Sequence, residues 1–427
     1  MRMQLKTILS LSIFLSAAFA VNAQTDKNSI DDKQEESRKK VKSSEEYQET
    51  EVNFLLNYYE QDGDHSPVTG GQGTEELTNV APSFVVHIPM DSLSSLDLNF
   101  GIDIYSSAST DNIDYFDTHK TSASSKDARA HINASYSHQL MNSGNAYSVL
   151  AGFSQEYDVS SYHAGGSYTF NSKDQNRSLS LSGVYMSDKW DLLYPTELRG
   201  NSNETLKDDT RTTLTFGVTY SQVINKRLQA LFSAEMVSQS GLLSTPFHRV
   251  FFDDAFSFAA NKTELASRSH IERLDDSRIK IPVSLRVNYY LSDFIRLKTF
   301  YRYYSDSWGI SAHTASLELP MMVSPSFIVS PFVRYHTQTA ADDFYEFGQA
   351  SSSSEFYTSD YDLSDFNSVK VGVGFQYSPV MGISNFKSPL RKNKVAQLKS
   401  IGLRTAYYDR SDGLNAWLVS LDFGFTF

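Results

Sequence analysis

The residues best equipped for chemistry in this 427-residue chain are two oxygen-rich clusters. Asp111, Asp114, Asp117 and His119 fall in STDNIDYFDTH, and Asp62, Asp64 and His65 fall in QDGDHSP with Glu75 and Glu76 close behind. Carboxylates at that density suit Ca²⁺, a hard cation that collects oxygen ligands. Neither segment has the EF-hand register, so the first is a candidate metal site. Its plainer reading is an acidic loop that is solvated, or bridged by divalent ions to lipopolysaccharide. Catalytic signatures are missing. There is no G-x-S-x-G, no H-E-x-x-H and no Walker loop, and GGQG at Gly70–Gly73 lacks the strand-loop-helix context of a phosphate cradle. The ten histidines are scattered. No enzymatic activity and no cofactor are expected.

The elements that position these groups alternate with period two. Leu96, Leu98, Phe100, Ile102 and Ile104 alternate with Asp97, Asn99, Gly101 and Asp103. Ile279, Ile281, Val283, Leu285 and Val287 face away from Lys280, Ser284, Arg286 and Asn288, and Val369, Val371, Val373 and Phe375 from Lys370, Gly372 and Gly374. Successive side chains of a strand point to opposite faces, so each run has one apolar and one polar face. The runs are longer than the roughly five or six residues usual in a soluble sandwich and match an oblique bilayer crossing of about ten. This predicts an all-β fold: a transmembrane, antiparallel up-and-down barrel of about sixteen strands, within 14–18.

The loops test the prediction. Long connections near 61–76, 107–125, 190–208, 241–276 and 339–365 share one parity, and short turns near 89–93, 139–144, 172–176, 224–225, 292–293 and 321–324 share the other. The connection 379–397 is long on the short side and breaks the rule.

The polar phase carries Arg129, Lys280, Arg286, Arg296, Lys298, Arg302, Arg334, Lys370 and Arg404, against Asp97, Asp103, Glu235, Glu318 and Asp422. A basic excess on a pore wall favours anions. The alternative is that these cations pair with acids and stiffen a plugged barrel. Tyr58, Tyr136, Tyr220, Tyr289, Tyr303, Tyr335, Tyr377 and Tyr407 fall on the apolar phase near strand ends, where rings suit a membrane interface. The chain ends LDFGFTF, and Phe423, Phe425 and Phe427 lie in phase on the apolar face. That ending resembles the strand signal read by the outer-membrane barrel assembly machinery.

Composition narrows the class. With a mean hydropathy of −0.37 and no apolar run long enough to cross as a helix, a helical membrane protein is excluded. With 40% hydrophobic and 13% aromatic residues, so is a wholly disordered chain. A net charge of −12 argues against nucleic acid as a partner. The absence of cysteine excludes disulfides and thiolate metal sites. Residues 1–23 read as a secretory signal peptide: Arg2 and Lys6, an apolar run from Thr7 to Ala20, then Val21-Asn22-Ala23 before Gln24. Residues 24–49 read as a charged periplasmic tail, and 50–427 as the barrel with its loops.

Four segments go further. VTGGQGTEEL (Val68–Leu77), IDIYSSASTDNID (Ile102–Asp114), TSASSKDAR (Thr121–Arg129) and TPFHRVFF (Thr245–Phe252) resemble an uncharacterised domain-of-unknown-function family of Gram-negative outer-membrane proteins. The resemblance spans nearly all of the chain beyond the signal peptide and implies an outer-membrane barrel, without implying an activity. The expected function is porin-like passage of small hydrophilic solutes, anionic ones among them, with outer-membrane lipid and lipopolysaccharide as surroundings. The alternative is a non-conducting barrel that serves as a surface receptor or scaffold component through its loops. The connection 241–276 discriminates: folded across the lumen it restricts passage, and standing clear it leaves a pore.

Overall fold

A computed structural model describes residues 49–107, 126–141, 143–195, 208–253, 269–388 and 395–427. The signal peptide and nearly all of the charged tail lie outside the described residues, as do Asp111, Asp114, Asp117 and His119.

The strands are β1 (Glu51–Asp62), β2 (Leu77–Pro89), β3 (Ser94–Ser107), β4 (Lys126–Gln139), β5 (Ala146–Gln155), β6 (Val159–Asn171), β7 (Arg177–Asp191), β8 (Asp208–Asn225), β9 (Leu228–Gly241), β10 (Arg249–Phe251) and β11 (Ser269–Ile271). They continue with β12 (Ser277–Tyr290), β13 (Arg296–Asp306), β14 (Ser311–Glu318), β15 (Met321–Ser324), β16 (Phe327–Gln338), β17 (Phe366–Tyr377), β18 (Ser384–Lys387), β19 (Val395–Arg410) and β20 (Asn415–Thr426). All except β10 and β11 belong to one antiparallel sheet. It closes where β1 pairs with β20, from Glu51 opposite Thr426 to Asp62 opposite Asn415. A closed sheet leaves no edge strand with unpaired backbone groups.

Two of the sheet's segments are continuations. β14 and β15 both pair with β16, interrupted at Leu319-Pro320, and β17 and β18 both pair with β19. The barrel therefore has sixteen staves. The same detail resolves the anomalous connection 379–397. After Tyr377, opposite Ile401, the chain makes an excursion and rejoins the β19 ladder at Ser384, opposite Leu398. Part of the apparent long loop is thus strand, Ser384–Lys387 lying beside the start of β19.

Alternation becomes an inside-out distribution. Ile104 is 50% exposed on the outer face, while its neighbour Asp103 is 7% exposed on the inner face. The expected tyrosines divide between two rims. Tyr58, Tyr303, Tyr335 and Tyr407 lie near the ends of strands running away from the termini, and Tyr136, Tyr220, Tyr289 and Tyr377 near the ends of strands running back. Prolines inside strands interrupt pairing locally, since proline has no N–H to donate. The β12–β9 register passes from Lys280 opposite Val237 to Val283 opposite Ala234, with Pro282 in the gap.

Candidate functional site

The barrel has two features able to act on a solute: its inner wall and the loops over the rim remote from the termini. The basic wall is concentrated on β12, β13, β16, β17 and β19. Arg334 stands directly opposite Lys370 on the adjacent strand, and Lys370 opposite Tyr408 on the next. Like charges placed opposite each other on one face repel. Arg302 is two strands from Arg334, across β14, where Thr314 is its direct partner. Among the described residues Arg302, Arg334 and Lys370 have no carboxylate within ion-pair distance, and the buried Nε atoms of Arg296 and Arg302 have no hydrogen-bond partner.

Lys298, Arg404, Arg286, Arg296 and Arg129 have partners or aromatic neighbours. Lys298 Nζ donates to Glu318 Oε1 at 3.1 Å, and Arg404 Nη2 donates to Glu318 Oε2 at 3.0 Å. Arg404 reaches that carboxylate across two intervening strands, its guanidinium 3.8 Å from the Phe332 ring centroid. Gly372 makes room for the ring: a Cβ there would stand 2.5 Å from Phe332 Cζ. Arg286 lies 5.8 Å from the Phe300 ring centroid and Arg296 5.9 Å from that of Tyr290. Arg129 stands apart on β4, 4.0 Å from Asp103, with His131 3.9 Å from the same carboxylate. The expected ladder is thus one continuous patch plus an isolated Arg129 on a distant part of the wall.

At that rim the described connections meet one another. The connection L1 (63–76) leaves the barrel after its first stave, and L5 (242–276) after its ninth, so they are rooted on opposite sides of the ring. Sixteen strands about 4.8 Å apart and tilted about 40° enclose a ring on the order of 30 Å across. The two loops nevertheless touch. Arg249 Nη1 donates to the Val68 carbonyl oxygen at 2.6 Å, and Val68 packs with Phe247. Gly70, at φ 79°, admits the Phe251 ring so closely that a Cβ would lie 2.6 Å from it.

A third connection, L7 (339–365), completes the cover. Its Tyr361 stacks on His65 of L1, with centroids 3.9 Å apart. Its Phe347 meets Phe251 of L5 at 5.0 Å, and Tyr357 exchanges backbone hydrogen bonds with Arg273 at 2.7 and 3.0 Å. Within this assembly Arg249, Val250, Phe251, Thr358 and Ser359 are fully buried.

The loop carboxylates read from the sequence divide. Glu75 is buried beneath the cover, its backbone carbonyl accepting from Gln61 Nε2 at 3.1 Å. Burial, followed by the charge of Asp362, pushes its carboxyl up to about 8. His65 Nδ1 is 3.0 Å from the Gly71 carbonyl oxygen and serves the L1 turn. The set His248, Glu272 and Asp360, the first two of them buried, is not marked as a site by any motif in the sequence. The available signal was the apolar content of TPFHRVFF, which a solvated loop has no reason to carry.

The family described as protein of unknown function, DUF3570, matches residues 11–412. No curated protein matches the chain. Among solved structures it is similar to a bacterial polysaccharide outer membrane secretin, at 11% identity and a TM-score of 0.44, covering 89% of this chain and 99% of that one. It is similar to a mutant of the ferric enterobactin receptor of Pseudomonas aeruginosa at 12% identity and a TM-score of 0.40, covering 84% of this chain and 53% of that one. It is also similar to the outer membrane protein opdK of Pseudomonas aeruginosa at 10% identity and a TM-score of 0.37, covering 88% and 98% respectively.

Proposed function

Since the chain belongs to the DUF3570 family of proteins of unknown function, its geometry has to supply the function, and we propose that it is a barrel of the Gram-negative outer membrane that passes small anionic solutes through a loop-covered mouth. The apolar outer face and the two tyrosine rims support a membrane setting. In that setting the rim bearing the termini faces the periplasm and L1, L5 and L7 lie outside. Outer-membrane lipid and lipopolysaccharide are then its surroundings, and the assembly machinery its partner during insertion. The reading includes no covalent chemistry.

The observation that carries the proposal is the unpaired basic patch of Arg302, Arg334 and Lys370 on the inner wall. All three are half-buried, and even partial desolvation of a charge without a partner is costly. Here the partner is supplied by a passing anion. The loop cover restricts how large that anion can be and how often it enters.

Planar-bilayer recording of the purified barrel tests this. The expected result is a small, anion-selective conductance that grows when L5 is shortened. Cation selectivity, or no conductance from either form, overturns it. The second reading, a receptor acting through its loops, is favoured by one observation: L1, L5 and L7 form a built surface with buried aromatic and charged residues. A barrel silent in both forms would leave that reading in place.

A further inference from the structure

The strongest unexplained feature outside the inner wall is the contact of the buried His248 and Glu272 with the half-buried Asp360. His248 and Glu272 come from the two arms of L5, and Asp360 comes from L7. One donor atom of each lies within 4.8 Å of the other two. His248 Nδ1 is 3.5 Å from Glu272 Oε1 and 3.9 Å from Asp360 Oδ2. Those distances are long for hydrogen bonds. They are close to what co-ligands require: tetrahedral bonds of about 2.1 Å put donor atoms about 3.4 Å apart.

Charge gives an independent reason. His248 and Glu272 are buried, with side chains 6% and 2% exposed, and the Asp360 side chain is 15% exposed. Among the described residues neither carboxylate has an arginine or lysine within ion-pair distance. Two carboxylates are thus withdrawn from water with one imidazole for company, and a bound cation removes the imbalance. The carboxylates are also held from outside the set. Thr358 Oγ1 donates to Glu272 Oε1 at 2.6 Å, the Thr245 N–H to Glu272 Oε2 at 2.6 Å, and the Asp362 N–H to Asp360 Oδ1 at 2.9 Å. Such supporting bonds orient metal ligands.

We propose that His248, Glu272 and Asp360 bind a divalent first-row transition ion that fastens L5 to L7 across the mouth of the barrel. One imidazole and two carboxylates form an N/O donor set suited to Zn²⁺ and its neighbours. The ion ties both arms of L5 to L7, so loading it holds the cover closed. The proposal does not depend on solute passage.

The test is calorimetric titration of Zn²⁺ into the full barrel in detergent after treatment with a chelator. One saturable ion per barrel is expected. His248→Ala, Glu272→Gln and Asp360→Asn should each weaken binding tenfold or more, while Asp174→Asn, in an exposed turn outside the set, should leave it unchanged. Folding of each variant is read from its heat-modifiable migration on gels. The near-isosteric Gln and Asn variants decide the matter if the alanine variant does not fold. No saturable uptake by the wild type, or wild-type affinity in the Gln and Asn variants, overturns the proposal.

Discussion

Arg249 Nη1 donates to the Val68 carbonyl oxygen at 2.6 Å, although the loops bearing these residues are rooted on opposite sides of the barrel. A contact between such loops can form only if they project over the lumen. A buried charge-assisted hydrogen bond contributes about 1.5–3 kcal/mol. Arg249→Ala should therefore release L5 from L1 while leaving the strands intact. Limited proteolysis should cut within L5 faster in the variant, with an unchanged melting temperature for the barrel. Equal cleavage rates would show that Phe247 and Phe251 hold the loop without the arginine.

Glu75 makes the cover sensitive to pH. Its carboxyl, ordinarily near 4.5, is pushed up to about 8 in the folded state by burial and then by Asp362. The docked loop therefore holds a proton that the undocked loop releases between these values. Docking is most stable below about 4.5, loses stability as pH rises towards 8, and changes no further above it. Amide protection across residues 63–76, taken relative to the intrinsic base-catalysed exchange rate, should fall over that window in the wild type. In Glu75→Gln the dependence should flatten. Protection that stays constant from pH 4.5 to about 8 would falsify the assignment.

The last residue lengthens the closing seam by one backbone pair. The Phe427 N–H donates to the Thr50 carbonyl oxygen at 2.9 Å, and the Thr50 N–H donates back to Phe427 at 3.2 Å, beyond the last strand pairing. Outside, Phe423 stacks on Phe54 at 6.2 Å, while Phe425 and Phe427 meet the edge of Phe386 on β18. Deleting Phe427 removes both seam hydrogen bonds and one ring of this cluster. The yield of heat-modifiable, membrane-inserted barrel should fall several-fold in cells, whereas Phe386→Ala should cost less because it leaves the seam paired. Equal yields for the deletion and the wild type would deny the terminal residue an assembly role.

The strands were legible in the sequence because an inside-out barrel writes its two faces as strict alternation, and because Ile104 beside Asp103 can be read without knowing any neighbour. Loop parity was legible for the same reason, apart from 379–397, where a strand resumed after an excursion that periodicity does not register. The cover was not legible. His248, Glu272 and Asp360 meet because L5 and L7 cross the ring, and no local pattern encodes a contact between positions so far apart. The basic wall lay between these cases. Its phase was readable, but the sharing of Glu318 by Lys298 and Arg404 depends on Arg404 spanning two strands over the Phe332 ring.

The opposition of Arg334 and Lys370 separates a wall built for anions from one built for rigidity. Like charges directly opposite each other in a sheet are destabilising, and opposite charges there contribute roughly 0.2–1 kcal/mol relative to an alanine pair. Replacing Lys370 with Glu should therefore stabilise the barrel slightly, because it creates an ion pair with Arg334. The same change removes the excess positive charge at that level of the wall. A pore serving anions should lose its selectivity, with the permeability ratio of chloride to potassium falling several-fold. A barrel stiffened by its charges should instead become only more stable, with no change in selectivity. Thermal melting and reversal potentials measured on the same preparation of Lys370→Glu distinguish the outcomes. Arg334→Ala provides the control for charge removal without a new pair: it should reduce selectivity while relieving the repulsion on Lys370.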